Sequence, residues 1–477
     1  MRLRAAFPRE GLTVKKPLAG LAVVVAALVA ATPALQAGPA AAAPLAAPVV
    51  AASSPSLPKI GHVWVVILEN KSYAQSFSPL TKAPMLQTLA KKGALLEQYY
   101  GTAHFSLPNY LGLLSGQGPN AVTQSDCMQY VDFVTTGIPV GGQYPGQGCV
   151  YPASVPNLGS QLSTKGVAWK GYMEDLGAST TRQTGPCGLP KTDTLQRDQS
   201  QTAGATDQYA ARHNPFVYFH AITDHPAECT KHLAPLTALT RDVAKVATTP
   251  AFNFVTPNLC NDGHDTGCVG RDVAGDRTGN LTAVQHWLQK YVPVITGSAA
   301  FKKDGLLLVT WDEAAATTGA DGSADASACC NETALNTPKP GGPSTDISGL
   351  TSLSGDGGGR VGALAVSRFI KPGTVSTKPY NHYSTLRTLE DLYGVPRLGY
   401  AAQATGVDVF GPDVFTARTT TPAVPVSRTP PAPAVPAAGP PLLPTTGLGL
   451  ETPAAALVLV LAAAAARGRR TRLLPTG

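Results

Sequence analysis

Motifs that define several common enzyme classes are missing from this 477-residue chain. It has no G-x-x-x-x-G-K segment, which excludes a P-loop nucleoside triphosphatase. It has no G-x-S-x-G elbow, so a serine esterase with a Ser-His-Asp arrangement is poorly supported. Its eight cysteines form no C-x-x-C pair, which disfavours a thiolate zinc site.

The chain also lacks net charge over its middle part. The formal charge of +7 comes from the ends, because residues 1–43 carry five basic and one acidic residue and residues 448–477 carry four arginines and one glutamate. The middle is therefore neutral overall. Because the middle carries no net positive charge to attract phosphates, a nucleic-acid partner is excluded.

The N-terminal segment has the order of an export signal. Basic residues precede the apolar run "PLAGLAVVVAALVAA", and small residues follow it. This order predicts an export signal over residues 1–43, cut between Ala37 and Ala43. An N-terminal membrane anchor is the alternative, but the run is shorter than the roughly 20 residues that span a bilayer.

The C-terminal segment begins with a change of composition. Residues 416–442 are rich in Pro, Ala and Thr, which predicts an extended spacer. A short motif, an apolar segment and the basic cluster "RGRRTR" follow within residues 443–477. The motif is "LPTTG": Leu443, Pro444, Thr445, Thr446 and Gly447.

This order resembles the sorting signal of Gram-positive surface proteins. The resemblance implies that a sortase cuts between Thr446 and Gly447 and links the chain to cell-wall peptidoglycan. We therefore expect a secreted, wall-attached protein. The alternative is retention by a C-terminal membrane segment.

All eight cysteines lie in the middle of the chain, and an even number in an exported chain predicts disulfides. Cys260 and Cys268 would close a short loop. The adjacent Cys329 and Cys330 are expected to reach two separate partners.

Residues 58–415 alternate short apolar runs with longer amphipathic stretches, which predicts one α/β domain with a parallel sheet. Runs such as "LLLVTW" do not alternate, which favours strands covered on both faces, although a buried helix remains an alternative. The predicted strands are 62–68, 216–222, 252–256, 305–311 and 361–367. The predicted helices are 84–92, 107–115, 232–246, 282–292 and 383–393.

Polar side chains follow four of these predicted strands. The residues concerned are Glu69 and Asn70; Thr223, Asp224 and His225; Asp262, His264 and Asp265; and Asp312 and Glu313. Ligands of open α/β sheets bind at the carboxyl ends of strands, so we expect these groups to converge there. Converging carboxylates repel one another unless a cation is present, and hard oxygens with imidazoles suit a divalent metal. For any single acid, a helix cap or a solvated loop position is the alternative.

"AHFSLPNYLGLLSG" places Ser106 at the start of a predicted helix, with His104 and Asn109 nearby. A hydroxyl there lies where an anion such as phosphate binds, because backbone N–H groups and the positive end of the helix dipole point to it. Ser106 beside a metal could attack phosphorus, and Asn109 could donate its amide to a phosphate oxygen. The alternatives are that Ser106 caps the helix and that His104 and Asn109 are packing and turn residues.

Seven blocks in this order are similar to known sequences: "VVILENKSY", "HFSLPNYLGLLSG", "WKGYMEDL", "YAARHNPFVYF", "FNFVTPNLCNDGHD", "LLLVTWDE" and "YNHYSTLRTLEDLYGVPRLG". Over about residues 60–400 they resemble the acid phosphatases of the phosphoesterase family, which also contains bacterial phospholipases C. The resemblance implies an alkaline-phosphatase-like fold, a mostly parallel sheet sandwiched between helices, here with disulfide-bonded loop excursions. It also implies a divalent metal ion and a covalent phosphoenzyme.

Position by position, the resemblance implies Ser106 as the nucleophile. The implied metal ligands are Glu69, Asn70, Asp312 and Glu313, and an optional second site would use Asp262, His264 and His382. His213 and His264 would contact phosphate or protonate the leaving oxygen. The expected substrate contacts are Asn70, His104 and Asn109. The alternatives are that His382 caps its helix and that His213 bonds a carbonyl before Pro215.

The sequence thus predicts a metal-dependent phosphomonoesterase of the acid phosphatase type. A phospholipase C that cleaves choline-type lipids is the alternative, but "ENKSYAQSF" lacks the Asp and Gly of the phospholipase pattern "ENRSFDHYFG". A non-catalytic surface binding module is a more distant alternative. The insertion 316–360 lies just after Asp312 and Glu313, where it would change the shape of the pocket and therefore the choice of substrate.

Overall fold

The computed structural model describes residues 57–79, 81–315, 325–337 and 357–417. The predicted export signal, the sorting signal and nearly all of the predicted spacer lie outside these residues, and so does most of the insertion 316–360. The predicted catalytic domain lies almost entirely within them.

Short strands and helices alternate along the described residues. The strands are β1 His62–Leu68, β2 Ala94–Leu96, β3 Tyr99–Tyr100, β4 Val134–Thr135, β5 Gly146–Gln147, β6 Trp169–Met173, β7 Gln183–Thr184, β8 Leu189–Pro190, β9 Leu233–Pro235, β10 Phe252–Thr256, β11 Gly305–Trp311, β12 Ala363–Ser367, β13 Thr374–Ser376 and β14 Tyr380–Asn381. The α-helices are α1 Tyr73–Phe77, α2 Pro84–Lys92, α3 Ser106–Ser115, α4 Leu158–Lys165, α5 His220–Thr223, α6 Pro226–His232, α7 Leu239–Asp242, α8 Asn280–Gly297, α9 Ala299–Asp304 and α10 His382–Tyr393.

The central element of the described residues is an eight-stranded sheet in the order β13-β2-β12-β11-β1-β10-β6-β9. Strand β1 is parallel to both of its neighbours, β10 and β11, and β6 and β9 continue the parallel part. Only β12, among the described strands of this sheet, is antiparallel to its neighbours. All residues of β10 and β11 are buried, as expected for strands covered on both faces.

Helices cover both faces of this sheet. Trp64 of β1 packs against Phe301 of α9, whereas Phe252 of β10 packs against Tyr393 of α10. Phe252 is paired with Val63, the residue before Trp64, and successive side chains of a strand point to opposite faces. Helices α9 and α10 therefore lie on opposite sides, and the predicted mostly parallel sheet between helices is confirmed.

The predicted strand 216–222 is wrong. Pro215 begins a 3₁₀ turn that continues to Tyr218, and α5 follows. A fully buried apolar run does not distinguish a strand from a helical turn, and the fixed φ of proline favours the turn. Asp224 and His225 consequently do not follow a strand, and Asp224 instead bonds His220.

The predicted helix 232–246 is also wrong, because β9 follows His232 and the helical residues after it are mainly those of a 3₁₀ turn at Leu236–Ala238 and of the short α7. Pro235 disfavours helical geometry at the residue before it, which keeps Ala234 extended. The predicted helices 84–92, 107–115, 282–292 and 383–393 correspond to α2, α3, α8 and α10.

The cysteines are paired as Cys127–Cys149, Cys187–Cys229, Cys260–Cys268 and Cys329–Cys330. The short loop closed by Cys260 and Cys268 is confirmed. The expectation that Cys329 and Cys330 reach separate partners is wrong, because the other six cysteines are bonded among themselves.

None of the helices in the described part of the chain combines the length and the apolar character needed to cross a membrane.

Candidate active site

The carboxyl ends of three adjacent strands bring acidic side chains together. Glu69 follows β1 and Asp312 follows β11, and the N–H of Asp312 bonds the carbonyl of Leu68 at 2.8 Å. The loop after β10 returns to the same place, because the N–H of Glu69 bonds the carbonyl of Asp262 at 2.9 Å. The order β11-β1-β10 therefore produces the convergence that the strand-end pattern predicts.

Ser106 is the first residue of α3, and its side chain does not cap the helix. Phe105 is the N-cap residue, with φ +70° and no side-chain cap bond. The Ser106 hydroxyl instead donates to Glu69 Oε2 at 2.7 Å. A positive φ is uncommon for a bulky residue and often accompanies a functional constraint. Here it turns the chain so that the hydroxyl lies among the carboxylates.

Asn109 holds the turn that leads into Ser106. Its Oδ1 accepts from the N–H groups of Thr102 (2.8 Å) and Ala103 (3.0 Å) and from the Thr102 hydroxyl. Its Nδ2 donates to the carbonyls of Ala103 (2.8 Å) and Phe105 (2.9 Å). Because the amide is fully occupied by the backbone, the structure gives Asn109 the task of a turn residue in place of the predicted phosphate donor.

Glu69 is the centre of the site. Its carboxylate accepts hydrogen bonds from Ser106, from Tyr110 at 2.6 Å and from Asn70 Nδ2 at 3.0 Å. Burial raises the pKa of Glu69, but the hydrogen bonds from Tyr110 and Ser106 and the positive charge of His264 favour the carboxylate, so the pKa lies below its usual value. Sequence reasoning missed Tyr110, although its position four residues after Ser106 places both on one face of α3.

Asp312 and Asp262 are both buried, with 0% and 1% exposure. The Oδ1 atoms accept from the N–H groups of Asn70 and His264, both at 2.9 Å. Both Oδ2 atoms are buried without a hydrogen-bond partner in the part of the chain that the structure describes. Burial raises the pKa of Asp262 to about 8, and repulsion from Glu69 adds to this. Burial and Glu69 likewise raise the pKa of Asp312.

These orphaned oxygens fit a divalent cation. Buried polar atoms in native proteins almost always have a partner, and clustered carboxylates are costly without positive charge. Hard oxygen donors are the ligands that Mg²⁺, Mn²⁺ and Ca²⁺ take in proteins. The donor set Glu69, Asp312 and Asp262 is therefore chemically suited to such an ion.

His213 and His264 have opposite surroundings. His213 is buried and stacked on Tyr110, its Nε2 lies 3.1 Å from Glu69 Oε1, and neither ring nitrogen makes a well-aligned hydrogen bond with a described residue. Burial lowers the pKa of His213 to about 3, so the ring is neutral. His264 Nδ1 bonds Asp265 Oδ1 at 2.7 Å, and this hydrogen bond raises its pKa to about 9. His264 is thus a proton donor at neutral pH, and His213 is not.

Gly263 allows the tight turn between Asp262 and His264. Its φ is +107°, and a Cβ at this position would lie 2.8 Å from the Trp311 ring.

His104 and His382 use both of their ring nitrogens within the protein. His104 Nδ1 pairs with Glu313, and its Nε2 donates to the carbonyl of Asp325 at 3.0 Å. His382 Nε2 donates to the carbonyl of Asp312 at 2.6 Å, and its Nδ1 accepts from Tyr99 at 3.1 Å. All four ring nitrogens therefore have partners within the protein. None is left for the phosphate contact predicted for His104 or for the metal ligation predicted for His382. His382 does not cap α10, because Asn381 does.

Lys71 and Arg212 are charged residues near the site that sequence reasoning missed. Burial lowers the pKa of Lys71, and attraction to Asp262 partly offsets this. Arg212 Nε lies 3.9 Å from Asp126, and Asp126 accepts the N–H of Leu107 at 2.9 Å. One of the N–H groups expected to meet phosphate at the start of α3 is thus already bonded to a carboxylate.

A second group of potential metal ligands lies outside the strand-end cluster. Asp272, Asp276 and His286 place one ligand atom each within 4.8 Å of one another. His286 Nδ1 already bonds Asp272 Oδ2 at 2.7 Å, so this group is satisfied internally.

Comparison with known proteins identifies the family. The Phosphoesterase family model matches residues 75–396. The chain is 26% identical over 367 residues to a phosphatidylinositol-3-phosphatase of Mycobacterium tuberculosis, covering 77% of this chain and 88% of that protein. It is 25% identical over 252 residues to a phosphate-repressible acid phosphatase of Penicillium chrysogenum, covering 53% of this chain and 47% of that protein.

The chain thus spans about half the length of this fungal relative. Among solved structures it is similar to a protein in the alkaline phosphatase superfamily from Vibrio parahaemolyticus, with 11% identity and a TM-score of 0.41 over 73% of this chain and 72% of that chain. Because the family model covers most of the catalytic domain, the chain belongs to the phosphoesterase family and is a phosphoric ester hydrolase.

Proposed function

We propose that the chain is a metal-dependent phosphomonoesterase of the acid phosphatase type that acts through a phosphoserine on Ser106. The observation that carries the proposal is the hydrogen bond of Ser106 to Glu69 within a cluster of buried carboxylates whose Oδ2 atoms lack partners. A hydroxyl that only stabilises a helix would not be turned into such a cluster.

The ion would be held by Glu69, Asp312 and Asp262, and the resemblance adds Asn70 and Glu313 to this set. When bound, a divalent cation neutralises these carboxylates and favours the charge that develops on the phosphoryl oxygens. Glu69 accepts the Ser106 hydroxyl and thereby orients it for attack. Tyr110 and Asn70 hold Glu69 in place.

The reaction then has two steps. The Ser106 hydroxyl gives its proton to Glu69, its oxygen forms a bond to phosphorus, the ester P–O bond breaks, and the departing alcohol takes a proton from His264. Water next attacks the phosphoserine and gives a proton to His264, the bond between Ser106 and phosphorus breaks, and the Ser106 oxygen takes back the proton held by Glu69. The raised pKa of His264 supports its role as the acid of the first step.

The named relatives favour a monoesterase over a phospholipase C, because both are described as phosphatases. The mycobacterial name adds a lipid-borne phosphate monoester to the candidate substrates. A non-catalytic binding module is disfavoured, because the positions at the strand ends hold chemically competent residues.

The proposal includes export and attachment of the catalytic domain to the cell wall through the LPTTG motif. Mass spectrometry of wall fragments tests this attachment: peptidoglycan joined to Thr446 would support it, and an intact C-terminus at Gly477 would contradict it.

The test of the activity is phosphate release from p-nitrophenyl phosphate, with and without a chelator. We expect Ser106→Ala to lower kcat by at least about 10³-fold, because the nucleophile is removed. Ser115→Ala, a buried serine on the same helix whose hydroxyl bonds the Leu111 carbonyl at 2.7 Å, is the matched control. Unchanged turnover in Ser106→Ala, or in metal-stripped protein, would contradict the proposal.

A further inference from the structure

A cavity of about 630 Å³ begins at Lys71, directly after the Glu69–Asn70 pair. It is lined by α1, the segment that follows α1, the loop before α8 and the first turn of α8. None of the described residues that line it is acidic, and two are lysines, Lys71 and Lys82. Its charge is therefore opposite to that of the carboxylate cluster beside it.

Lys71 is 6% exposed, and the carboxylates of the strand-end cluster, Asp262 before Asp312, attract its charge. The Nζ atom makes one hydrogen bond, to the carbonyl of Asn70 at 3.2 Å. An ammonium group carries three donors, so the donors that Asn70 does not use are free for a ligand in the cavity.

Three threonines and Asn280 also present donors to the cavity, and two of these threonines, Thr266 and Thr278, are exposed to solvent. The hydroxyls of Thr266, Thr278 and Thr282 make no hydrogen bond with a described residue. The Oδ1 atom of Asn280 accepts the N–H of Leu281 at 2.7 Å, whereas its Nδ2 makes no hydrogen bond within the described ranges. Positive charge, hydroxyls and an amide donor are the groups that bind phosphate or carboxylate.

The cavity lies close to the carboxylate cluster, because Lys71 follows Glu69 and Asn70 in the chain and its charge interacts with Asp262 and Asp312. We expect a substrate whose reacting phosphate lies at Ser106 to extend toward this cavity. A volume of this size suits a small-molecule group.

We propose that this cavity binds a second anionic group of the substrate, so that the preferred substrates are phosphate monoesters that carry another phosphate or a carboxylate. The inference rests on the proposed function for the position of the reacting phosphate. Lys71 and Lys82 supply the charge, and the threonine hydroxyls and Asn280 supply directed donors. The second anion belongs either to a small soluble ester or to a lipid headgroup.

The test compares two substrates that differ in one group. 3-Phosphoglycerate has a carboxylate where glycerol 3-phosphate has a hydroxymethyl group. We expect the wild-type protein to prefer 3-phosphoglycerate by about tenfold in kcat/KM, and we expect Lys82→Met to lower this preference about fivefold, as for a partly exposed charge pair. Lys71→Met should abolish the preference.

Lys91→Met is the matched control, because Lys91 is an exposed lysine at the end of α2 that does not line the cavity. It removes the same charge and should leave the preference unchanged. Equal preferences in the wild type and Lys82→Met, or equal losses in Lys82→Met and Lys91→Met, would overturn the proposal.

A binding measurement separates this proposal from the catalytic one. Calorimetric titration of Ser106→Ala with 3-phosphoglycerate and with glycerol 3-phosphate should show tighter binding of the former, and the double variant with Lys82→Met should show a smaller difference. If the wild type released no phosphate but this difference were present, the proposed function would fail and the anion site would stand. If activity were present without the difference, the anion site would fail alone.

Two further substrates identify the source of the anion. Inositol 1,3-bisphosphate presents both groups in solution, and phosphatidylinositol 3-phosphate in phosphatidylcholine vesicles presents them on a lipid. The faster of the two identifies the source, and its cleavage should fall in Lys82→Met but not in Lys91→Met. If Lys82→Met lowered the cleavage of neither substrate, the proposal would be overturned.

Discussion

The turn before α3 and the loop after β10 both supply side chains to the candidate site, but they differ in how their polar groups are satisfied. In the turn, Asn109 makes five hydrogen bonds and His104 uses both ring nitrogens. In the loop, Asp262 Oδ2 is buried without a described partner. These polar groups of the turn have their hydrogen-bond partners within the protein, whereas Asp262 Oδ2 in the loop requires a ligand.

This difference indicates that the two regions have different roles, one in orienting Ser106 and the other in binding an ion. The completed turn fixes the direction of the Ser106 hydroxyl before substrate arrives, which lowers the cost of organising the site during reaction. The incomplete carboxylates retain free lone pairs for an ion, at a cost in stability when none is bound. Substitutions in the two regions should therefore affect activity and stability differently.

The largest effect is expected for Asp312→Asn, because Asp312, which follows β11, has an Oδ2 atom without a described partner, like Asp262 in the loop. Loss of a proposed metal ligand should lower kcat/KM by about 10²- to 10³-fold, or roughly 3–4 kcal/mol. The free energy of unfolding of the metal-free protein should fall by less than about 1 kcal/mol, because the lost oxygen has no described partner. Turnover and urea unfolding after chelation measure the two quantities. A large loss of stability with normal turnover would show that Asp312 stabilises the fold and does not take part in catalysis.

A smaller effect, mainly on stability, is expected for Asn109→Leu in the completed region. The side chain keeps its size but leaves the N–H groups of Thr102 and Ala103 without an acceptor. We expect a loss of about 2–3 kcal/mol in the free energy of unfolding. Because the turn positions Ser106, kcat should fall as well, with the metal requirement unchanged. Wild-type stability in urea unfolding would show that the turn is held by other contacts.

The smallest effect on activity is expected at Glu390, a buried acid outside the site. Its Oε2 also lacks a described partner, and its Oε1 accepts the N–H of Leu398 at 2.8 Å. Burial raises its pKa to about 9, from an ordinary value of 4.5. The folded chain thus holds this proton more tightly than the unfolded chain, so its contribution is full below pH 4.5 and is lost as pH rises toward about 9.

Glu390→Gln should therefore flatten the fall in stability across this pH window by up to about 1.4 kcal/mol per pH unit. Urea unfolding at several pH values measures the slope, and phosphatase activity serves as the control, because Glu390 does not touch the site. An unchanged slope would show that Glu390 is ionised when folded. A flattened slope would also distinguish Glu390, a buried acid that is simply protonated, from Asp262 and Asp312, which are proposed to bind an ion.

Strands β1, β10 and β11 begin and end where the apolar runs predict, because their β-branched and aromatic residues favour strands and no proline directly precedes any of the three runs, unlike 216–222. Strand β6 escaped prediction because Lys170 and Gly171 interrupt its apolar run. Lys170 pairs with Asp242 at 2.6 Å, a distant residue that no local pattern reveals.

For the candidate site, the positions of Glu69, Asp262 and Asp312 after strands were enough to predict that they converge. The contacts of Tyr110, Lys71 and His382 were not predictable, because each depends on which helix packs over which strand end. Histidine shows this most clearly. The sequence contains His213 and His382 in equally suggestive motifs, yet only His213 has ring nitrogens that are left unsatisfied by the described residues.

The sequence by itself determined the α/β alternation, the identity of the family and the set of carboxylates at the strand ends, because burial patterns and motif order are properties of the chain. Only the tertiary structure decided which polar atoms are already satisfied and which are free to bind a ligand. The reason is that hydrogen bonding inside a protein depends on angles and distances between distant segments, such as His382 with the carbonyl of Asp312 and Asp312 with the N–H of Asn70, and these exist only after the sheet has formed.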